Sequence, residues 1–465
     1  MNRATPPAPA GQREDQRGDR YGRPQTDQHD QGVPDLGHVG AVPERAIPPA
    51  VPERASSVPV PGRAIPPAVP GRASSAPAPR ASPRYDLGQE RTDPAPGASP
   101  AVDGDGVDQE YRARWWHPVP DGRLRCEVCP RRCTLRDGQR GFCFVRARHG
   151  DAIVLTTYGR SSGFVLDPVE KKPLAHVLPG STVLSFGTAG CNLACRYCQN
   201  WEISTSRDVD TLAASASPTA LARAAGREGA VGVAFTYNDP VVFAEYAIDV
   251  TRACHDVGLL GIAVSAGWIE PAPRRELFGA VDAANIDLKG FTDDFYRRVT
   301  GARLADVLDT LVEVRALGTW LEITTLLIPG YNDSDAEIAA ECAWVAAELG
   351  VEVPVHFSAF HPAHRMLDVA RTPPSTLVRA RDIAHDAGLA HVYLGNVRLA
   401  DGATTRCAGC GSLLVDRAGY HVTTYRITPQ GTCPQCGRTV PGIWDPAGPP
   451  PEVGQWWSRR VEVGP

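Results

Sequence analysis

From residue 182 onward the apolar positions fall into short runs, each followed by a longer stretch of helical period. The runs are 182–187, 231–236, 261–265, 284–288, 320–325, 353–357 and 391–394, rich in Val, Ile, Thr, Phe and Trp. Short β-branched and aromatic runs of this kind predict buried strands. Between them the spacing changes. Ala244, Ala247, Ile248 and Val250 share one face of a helix predicted over 240–257, with Pro240 in its first turn. Leu304, Leu308, Leu311 and Val312 mark another amphipathic helix. Units of about 30 residues that alternate strand and helix predict parallel strands covered by helices, an α/β fold. Periodicity alone leaves a barrel and an open doubly wound sheet both standing.

The ends of the chain read differently. Residues 1–110 are dominated by Pro, Ala, Arg, Gly and Ser, and an eight-residue phrase beginning at Arg45 recurs at Arg63. With little apolar content to offset ordering entropy, this head is expected to be disordered. The organisation that follows is a Cys-rich segment and connector over 111–180, the α/β domain over 181–400, a small module over 401–445, and a Pro-rich, loose tail over 446–465.

Charge narrows the partners. The formal net charge is −5 and the sequence pI about 6.2, without a basic stripe, so neither nucleic acid nor a membrane surface is an expected partner. No apolar run approaches the ~18–20 residues that span a bilayer. The first residues lack the apolar core of a signal peptide, so a cytoplasmic location is expected. There the 13 cysteines, clustered in short units, favour metal sites over disulfides.

The cysteines form three groups. Cys191, Cys195 and Cys198 have C-x3-C-x2-C spacing and follow the first predicted strand, so they lie on a loop at a strand's carboxyl end. Three thiolates can hold three corners of a cubic iron–sulfur cluster and leave one iron open, and a three-cysteine zinc site is the plainer alternative. Cys126, Cys129, Cys133 and Cys143 fall within 18 residues and suit either structural zinc or a second iron–sulfur cluster. Cys407, Cys410, Cys433 and Cys436 form two C-x2-C-Gly knuckles around hairpin-like strands, a zinc-ribbon-like pattern; structural zinc or a lid over the α/β domain is expected there. Cys254 and Cys342 fall on apolar helix faces and read as inert core thiols.

The stretch from Phe186 to Ser204, with C-x3-C-x-aromatic-C at its centre and Tyr197 as the aromatic residue, resembles the radical S-adenosylmethionine (SAM) enzymes. In particular it resembles the AmmeMemoRadiSam-system radical SAM enzymes, which are related to pyruvate formate-lyase activating enzymes. The resemblance spans about residues 115–445. It implies a partial (βα)6 barrel and a [4Fe–4S] cluster on Cys191, Cys195 and Cys198. The open iron would chelate SAM, which one electron cleaves to a 5′-deoxyadenosyl radical that abstracts hydrogen from an unidentified substrate. The implied partners are an electron donor such as flavodoxin or ferredoxin, and a protein substrate or system partner proteins. The resemblance assigns Asn238 and Asp239 to the methionyl amino end of SAM, where related activases carry Gly-Gly-Glu. It aligns Asp287 and Lys289 with an Asp-Leu-Lys motif that reaches the SAM carboxylate or the substrate. Tyr197 and the region of Ile328 would flank adenine.

Further candidates at the strand ends are Tyr237, Ser265, Glu322, Thr324, Thr325 and His361, while His356, inside a strand, reads as a satisfied core histidine. Lysine is nearly absent: Lys171, Lys172 and Lys289 are the three lysines among 48 basic residues, so each marks a place where a compact ammonium differs from a guanidinium. Within an enzyme reading, the runner-up to a small-molecule substrate is an activase that installs a glycyl radical on a partner protein. Outside it stands a non-enzymatic scaffold with zinc at all three cysteine groups.

Overall fold

The computed structural model of the protein describes residues 111–207, 212, 214–448 and 458–463. The repeat-bearing head, 1–110, lies outside them. The centre is a nine-stranded sheet. Its strands are β1 (Phe164–Pro168), β2 (Thr182–Phe186), β3 (Gly232–Phe235), β4 (Leu260–Ser265), β5 (Ala283–Asp287), β6 (Trp320–Leu327), β7 (Val355–Ala359), β8 (Val392–Gly395) and β9 (Arg459–Val461). The order across the sheet is β8-β7-β6-β5-β4-β3-β2-β1-β9. Strands β2 to β8 are parallel, whereas β1 and β9 continue the sheet antiparallel. Neighbours in sequence are neighbours in space throughout β2–β8, with no reversal of direction. A doubly wound sheet requires such a reversal, and right-handed crossovers running one way put every helix on one face.

The helices are α1 (Pro218–Arg227), α2 (Ala244–Asp256), α3 (Pro271–Ala280), α4 (Leu304–Leu317), α5 (Asp335–Glu348) and α6 (Pro374–Asp386). Each is short and stops where its sequence dictates. Ser217 caps α1 through the amide of Ala220, Ser334 caps α5 through that of Glu337, and Gly318 ends α4 at φ +77°. The predicted helix over 240–257 begins with a 3-10 turn, Pro240–Phe243, before α2 proper.

Strand parity divides the sheet into two chemistries. Leu184, Phe186, Val233, Phe235, Ala263, Ile286, Ile323, Val355, Phe357 and Leu394 join the large core beneath the helices. The opposite face is graded along the strands. Near their amino ends Val183, Ala234, Ile262, Ala283 and Trp320 pack with Val169, Leu174, Val177 and Ile443. Further along, register aligns Asn285 with Glu322, then Asp287 with Thr324, Thr324 with His356 and His356 with Tyr393. The non-helical face is therefore dry at one end and polar at the carboxyl ends of the strands.

Two departures from the sequence reading concern the ends. Arg459–Val461 pairs with β1, and Val461 is buried, so part of the stretch expected to be loose is an edge strand. Alternation over three residues is too short to be read against a Pro-rich background. The module expected over 401–445 packs on the connector, where the Leu178 amide donates to the Ile443 carbonyl at 2.8 Å and the Ile443 amide to the His176 carbonyl at 2.7 Å. That contact lies at the amino ends of the strands, opposite the position expected of a lid.

Candidate active site at the carboxyl ends of the strands

β2 leads directly into the three-thiol loop, and two glycines make the passage feasible. A Cβ on Gly187 would stand 2.5 Å from the Thr236 carbonyl and 2.6 Å from Asn238 Oδ1, and one on Gly190 (φ +75°) would run into the Cys143 carbonyl. The loop is then tied on several sides. Asn238 donates from Nδ2 to the Gly190 carbonyl (2.7 Å), and its Oδ1 accepts from the Thr188 amide (2.9 Å). Asn192 donates to the Trp268 carbonyl at 2.8 Å, and Asn200 to the Tyr237 carbonyl at 2.9 Å. The amides of Ala194 and Arg196 donate to Thr300 and Val299, in a π-helical turn spanning Tyr296–Thr300. Tyr237 holds φ +70°, an uncommon conformation for an aromatic residue.

Asn238, Asp239 and Ser265 are thus spent largely on the protein. Asp239 accepts from the Val241 and Ala266 amides and from the Ser265 hydroxyl, at 2.9–3.1 Å. Burial pushes its pKa up against those hydrogen bonds. These residues fix the loop and the ends of β3 and β4 to each other. Toward the expected adenine side, Ile328 is fully buried and donates its amide to Asn332.

Beside the loop, Lys289 reaches Asp287 (Nζ to Oδ2, 2.9 Å) and lies 6.0 Å from the centre of the Tyr197 ring. Burial opposes the ammonium, but Asp287 and its other neighbours more than offset it, and Lys289 is held protonated. Burial likewise pushes the Cys195 thiol up to about 11, with Lys289 pulling against it. Three buried polar atoms here have no protein partner: Tyr197 OH, Thr324 Oγ1 and Asn285 Oδ1. Unpartnered buried polar atoms are costly unless a ligand or water meets them. Thr324 and Asn285 share the polar face of the sheet, so the site suits a ligand with several polar groups. The donor set suits a cluster: three thiols on a rigid loop, with a cation and carboxylates alongside.

Deeper in the same face lies a set of partners whose joint arrangement had no sequence signal. Glu322 accepts from His356 (2.6 Å) and from the amides of Ala175 and His176 (2.8 Å each). These contacts hold its carboxyl down at about 2, despite burial. His356 is thus a satisfied buried histidine. Lys171 and Lys172 both pair with Asp167, and the Tyr237 hydroxyl donates to the same carboxylate at 2.7 Å. All three lysines therefore pair with an aspartate. Thr325 faces away and bonds Glu341 on α5. His361 meets Arg371 at 3.4 Å, while His364 stacks on the exposed Trp201 at 5.5 Å.

The other cysteines separate cleanly. Among the described residues, Cys407, Cys410, Cys433 and Cys436 are the group whose ligand atoms all lie within 4.8 Å of one another. The sulfurs of Cys407 and Cys436 are 3.6 Å apart, and those of Cys410 and Cys433 are 3.7 Å apart. Cys126, Cys129, Cys133 and Cys143 line one pocket next to Asn192. Cys254 and Cys342 are buried in α2 and α5, and burial pushes each up to about 12.

With a thiol loop at the mouth of a parallel α/β sheet, the matching profile is that of the radical SAM superfamily, over residues 186–343. The chain belongs to the radical SAM superfamily and is an enzyme. Over 329 residues it is 36% identical to a Methanocaldococcus jannaschii protein described as uncharacterized protein MJ0808, covering 70% of this chain and 98% of that one. It is also similar to the pyruvate formate-lyase-activating enzyme of Clostridium pasteurianum, 25% identical over 152 residues, covering 32% of this chain and 63% of that enzyme. The benzylsuccinate synthase activating enzyme of Thauera aromatica is 25% identical over 190 residues, 38% of this chain and 57% of that enzyme. The match thus spans less than two thirds of either activating enzyme. Among the described residues, no helix is long and apolar enough to cross a membrane.

Proposed function

We propose that the protein binds SAM at a [4Fe–4S] cluster held by Cys191, Cys195 and Cys198 and uses it to abstract hydrogen from a substrate. The observation that carries this reading is the rigid three-thiol loop abutting Lys289, Asp287 and the unpartnered Tyr197 and Thr324 hydroxyls. When bound, cluster and cofactor supply one-electron cleavage of the sulfonium to a 5′-deoxyadenosyl radical. The chain's residues do the rest. Asn238 holds the loop in place. Asp287 orients the Lys289 ammonium toward an anionic group such as the SAM carboxylate. Tyr197 and Thr324 offer hydroxyls to the remaining polar groups. The strand order supports a partial (βα)6 barrel.

Within the superfamily we place the chain with the AmmeMemoRadiSam-system enzymes, on the motif from Phe186 to Ser204. The similarity to two activating enzymes favours a second reading, in which the substrate is a partner protein receiving a glycyl radical. Either reading needs a reductant such as flavodoxin or ferredoxin. Cys407, Cys410, Cys433 and Cys436 would hold zinc: their spacings of 3.6 and 3.7 Å approach the edge of about 3.8 Å set by a tetrahedron of ~2.3 Å Zn–S bonds. We take the location to be cytoplasmic, on the wealth of reduced cysteines.

Anaerobic reconstitution with iron and sulfide, reduction, and addition of SAM should yield 5′-deoxyadenosine, measured by chromatography. Failure of the reconstituted, reduced protein to consume SAM would overturn the reading.

A further inference from the structure

The segment before the barrel carries its own four thiols, and the radical SAM reading leaves them without work. Three short strands, Trp116–Pro118, Leu124–Cys126 and Thr134–Leu135, form an antiparallel sheet that sets Cys126 at a strand end and Cys129 and Cys133 on the turn after it. Cys143 comes back from the following loop. The four line one pocket together with Val128, Phe142, Val241 and Val242, so much of the wall is apolar.

The contrast with the C-terminal four thiols is geometric. Those have closed to sulfur contacts of 3.6 and 3.7 Å, the size of a single tetrahedral ion. The N-terminal thiols stand around a pocket instead. A cube of iron and sulfide separates its thiolates much further than one zinc ion does. The surroundings also favour a larger anionic group. The Phe142 amide donates to Cys133 Sγ at 3.4 Å. Arg146, 2% exposed and paired with Glu245, lies in the wall, and Arg131 stacks over Phe142 at 3.5 Å.

The pocket also touches the mouth. Arg131 donates to the Asn192 carbonyl, within the three-thiol loop, and to the Gly301 carbonyl at 3.3 Å. The Cys143 carbonyl packs against Gly190, the residue before Cys191. The Glu270 amide donates to the Val128 carbonyl at 3.0 Å, and Glu270 pairs with Arg132. A rigid seam therefore joins the two cysteine groups.

We propose that Cys126, Cys129, Cys133 and Cys143 hold a second iron–sulfur cluster, fully ligated by cysteine, beside the loop that carries the first. Its role is electron transfer: one electron enters from a low-potential protein donor and one leaves toward the mouth, with no bond made or broken. Full ligation leaves no open iron, so this cluster does not respond to SAM.

The test uses the full chain with Cys191→Ala, Cys195→Ala and Cys198→Ala, which leaves the N-terminal thiols intact. After anaerobic reconstitution it should hold about four iron and four sulfide per chain. On reduction it should give an electron paramagnetic signal that SAM does not alter. Adding Cys129→Ala and Cys143→Ala should remove that iron. Zinc without iron in the triple variant, or iron that survives the added substitutions, overturns the proposal. Should the triple variant fail to fold, the parent protein decides: about eight iron per chain with a SAM-insensitive component supports the second cluster, and about four overturns it. Because the count is made without the first site, its outcome is independent of whether the parent cleaves SAM.

Discussion

The mouth loop and the C-terminal module use the same ligand type in C-x2-C or C-x3-C spacing, yet the fold treats them oppositely. In the module each knuckle closes by its own local bonds: the Gly411 amide donates to the Cys407 carbonyl and the Gly437 amide to the Cys433 carbonyl, at 2.9 Å each. Its small core, Leu414, Val415, Ile427 and Val440, lies directly beside the sulfurs. The mouth loop has no core of its own. Its conformation comes from Asn238, Trp268, Val299 and Thr300, residues 40 or more positions away in sequence. One site is built to be filled and closed, the other to be held open from outside. On the proposed function the first serves stability and the second chemistry.

The largest expected effect comes from breaking each site in turn. Cys195→Ala should abolish formation of 5′-deoxyadenosine while the melting temperature stays within a few degrees of the parent. Cys433→Ala should do the reverse, lowering the melting temperature and leaving SAM cleavage measurable in the folded fraction. Equal loss of both properties in the two variants would erase the distinction.

A smaller effect should follow at Lys289. On the proposed reading, Lys289→Ala removes a charge-assisted bond to SAM, a cost of about 1.5–3 kcal/mol and roughly a ten- to hundredfold loss of affinity. Iron content should not change, since the thiols are untouched. Lys289→Arg should recover only part of the loss, because a planar fork replaces a compact ammonium. Titration of SAM against the reduced cluster by electron paramagnetic resonance reads this directly. Unchanged affinity with lost turnover would move Lys289 from cofactor to substrate.

The smallest effect concerns the closed end. His176 joins the module to the sheet, donating from Nδ1 to the Pro441 carbonyl and accepting at Nε2 from the Tyr393 hydroxyl, at 2.7 Å each. Burial, with His391 nearby, depresses it to about 3, so it is neutral in the folded protein. The unfolded chain takes up that proton below about pH 6.5. Stability should therefore fall as pH drops from about 6.5 toward 3, and His176→Gln should flatten that part of the curve. Thermal melts across the range measure it; an unchanged slope in the variant would remove His176 as the cause.

Much of this was present in the sequence. Seven apolar runs marked the seven parallel strands because a strand buried on both faces must be apolar or β-branched over its whole length. The three-thiol motif was legible because ligand spacing on a single loop is local. The module's two knuckles were legible for the same reason. What the sequence could not show is what depends on distant residues meeting. Strand order, with its exclusion of a doubly wound sheet, rests on which edges pair. Asn238 and Asp239 looked like ligands, yet their side chains are largely occupied by loop and strand ends brought in from elsewhere. The pairing of Asp167 with Tyr237, and of Glu322 with His356 and with the amides of Ala175 and His176, joins elements up to 147 positions apart. The strand at Arg459–Val461 gains its partner only after β1 has been placed. The sequence by itself determined the kind of chemistry, because thiols at fixed short spacing admit few uses. The tertiary structure alone decided which polar atoms are spent on holding the site and which are left to meet a ligand, because hydrogen-bond satisfaction is a property of the assembled interior and not of any segment.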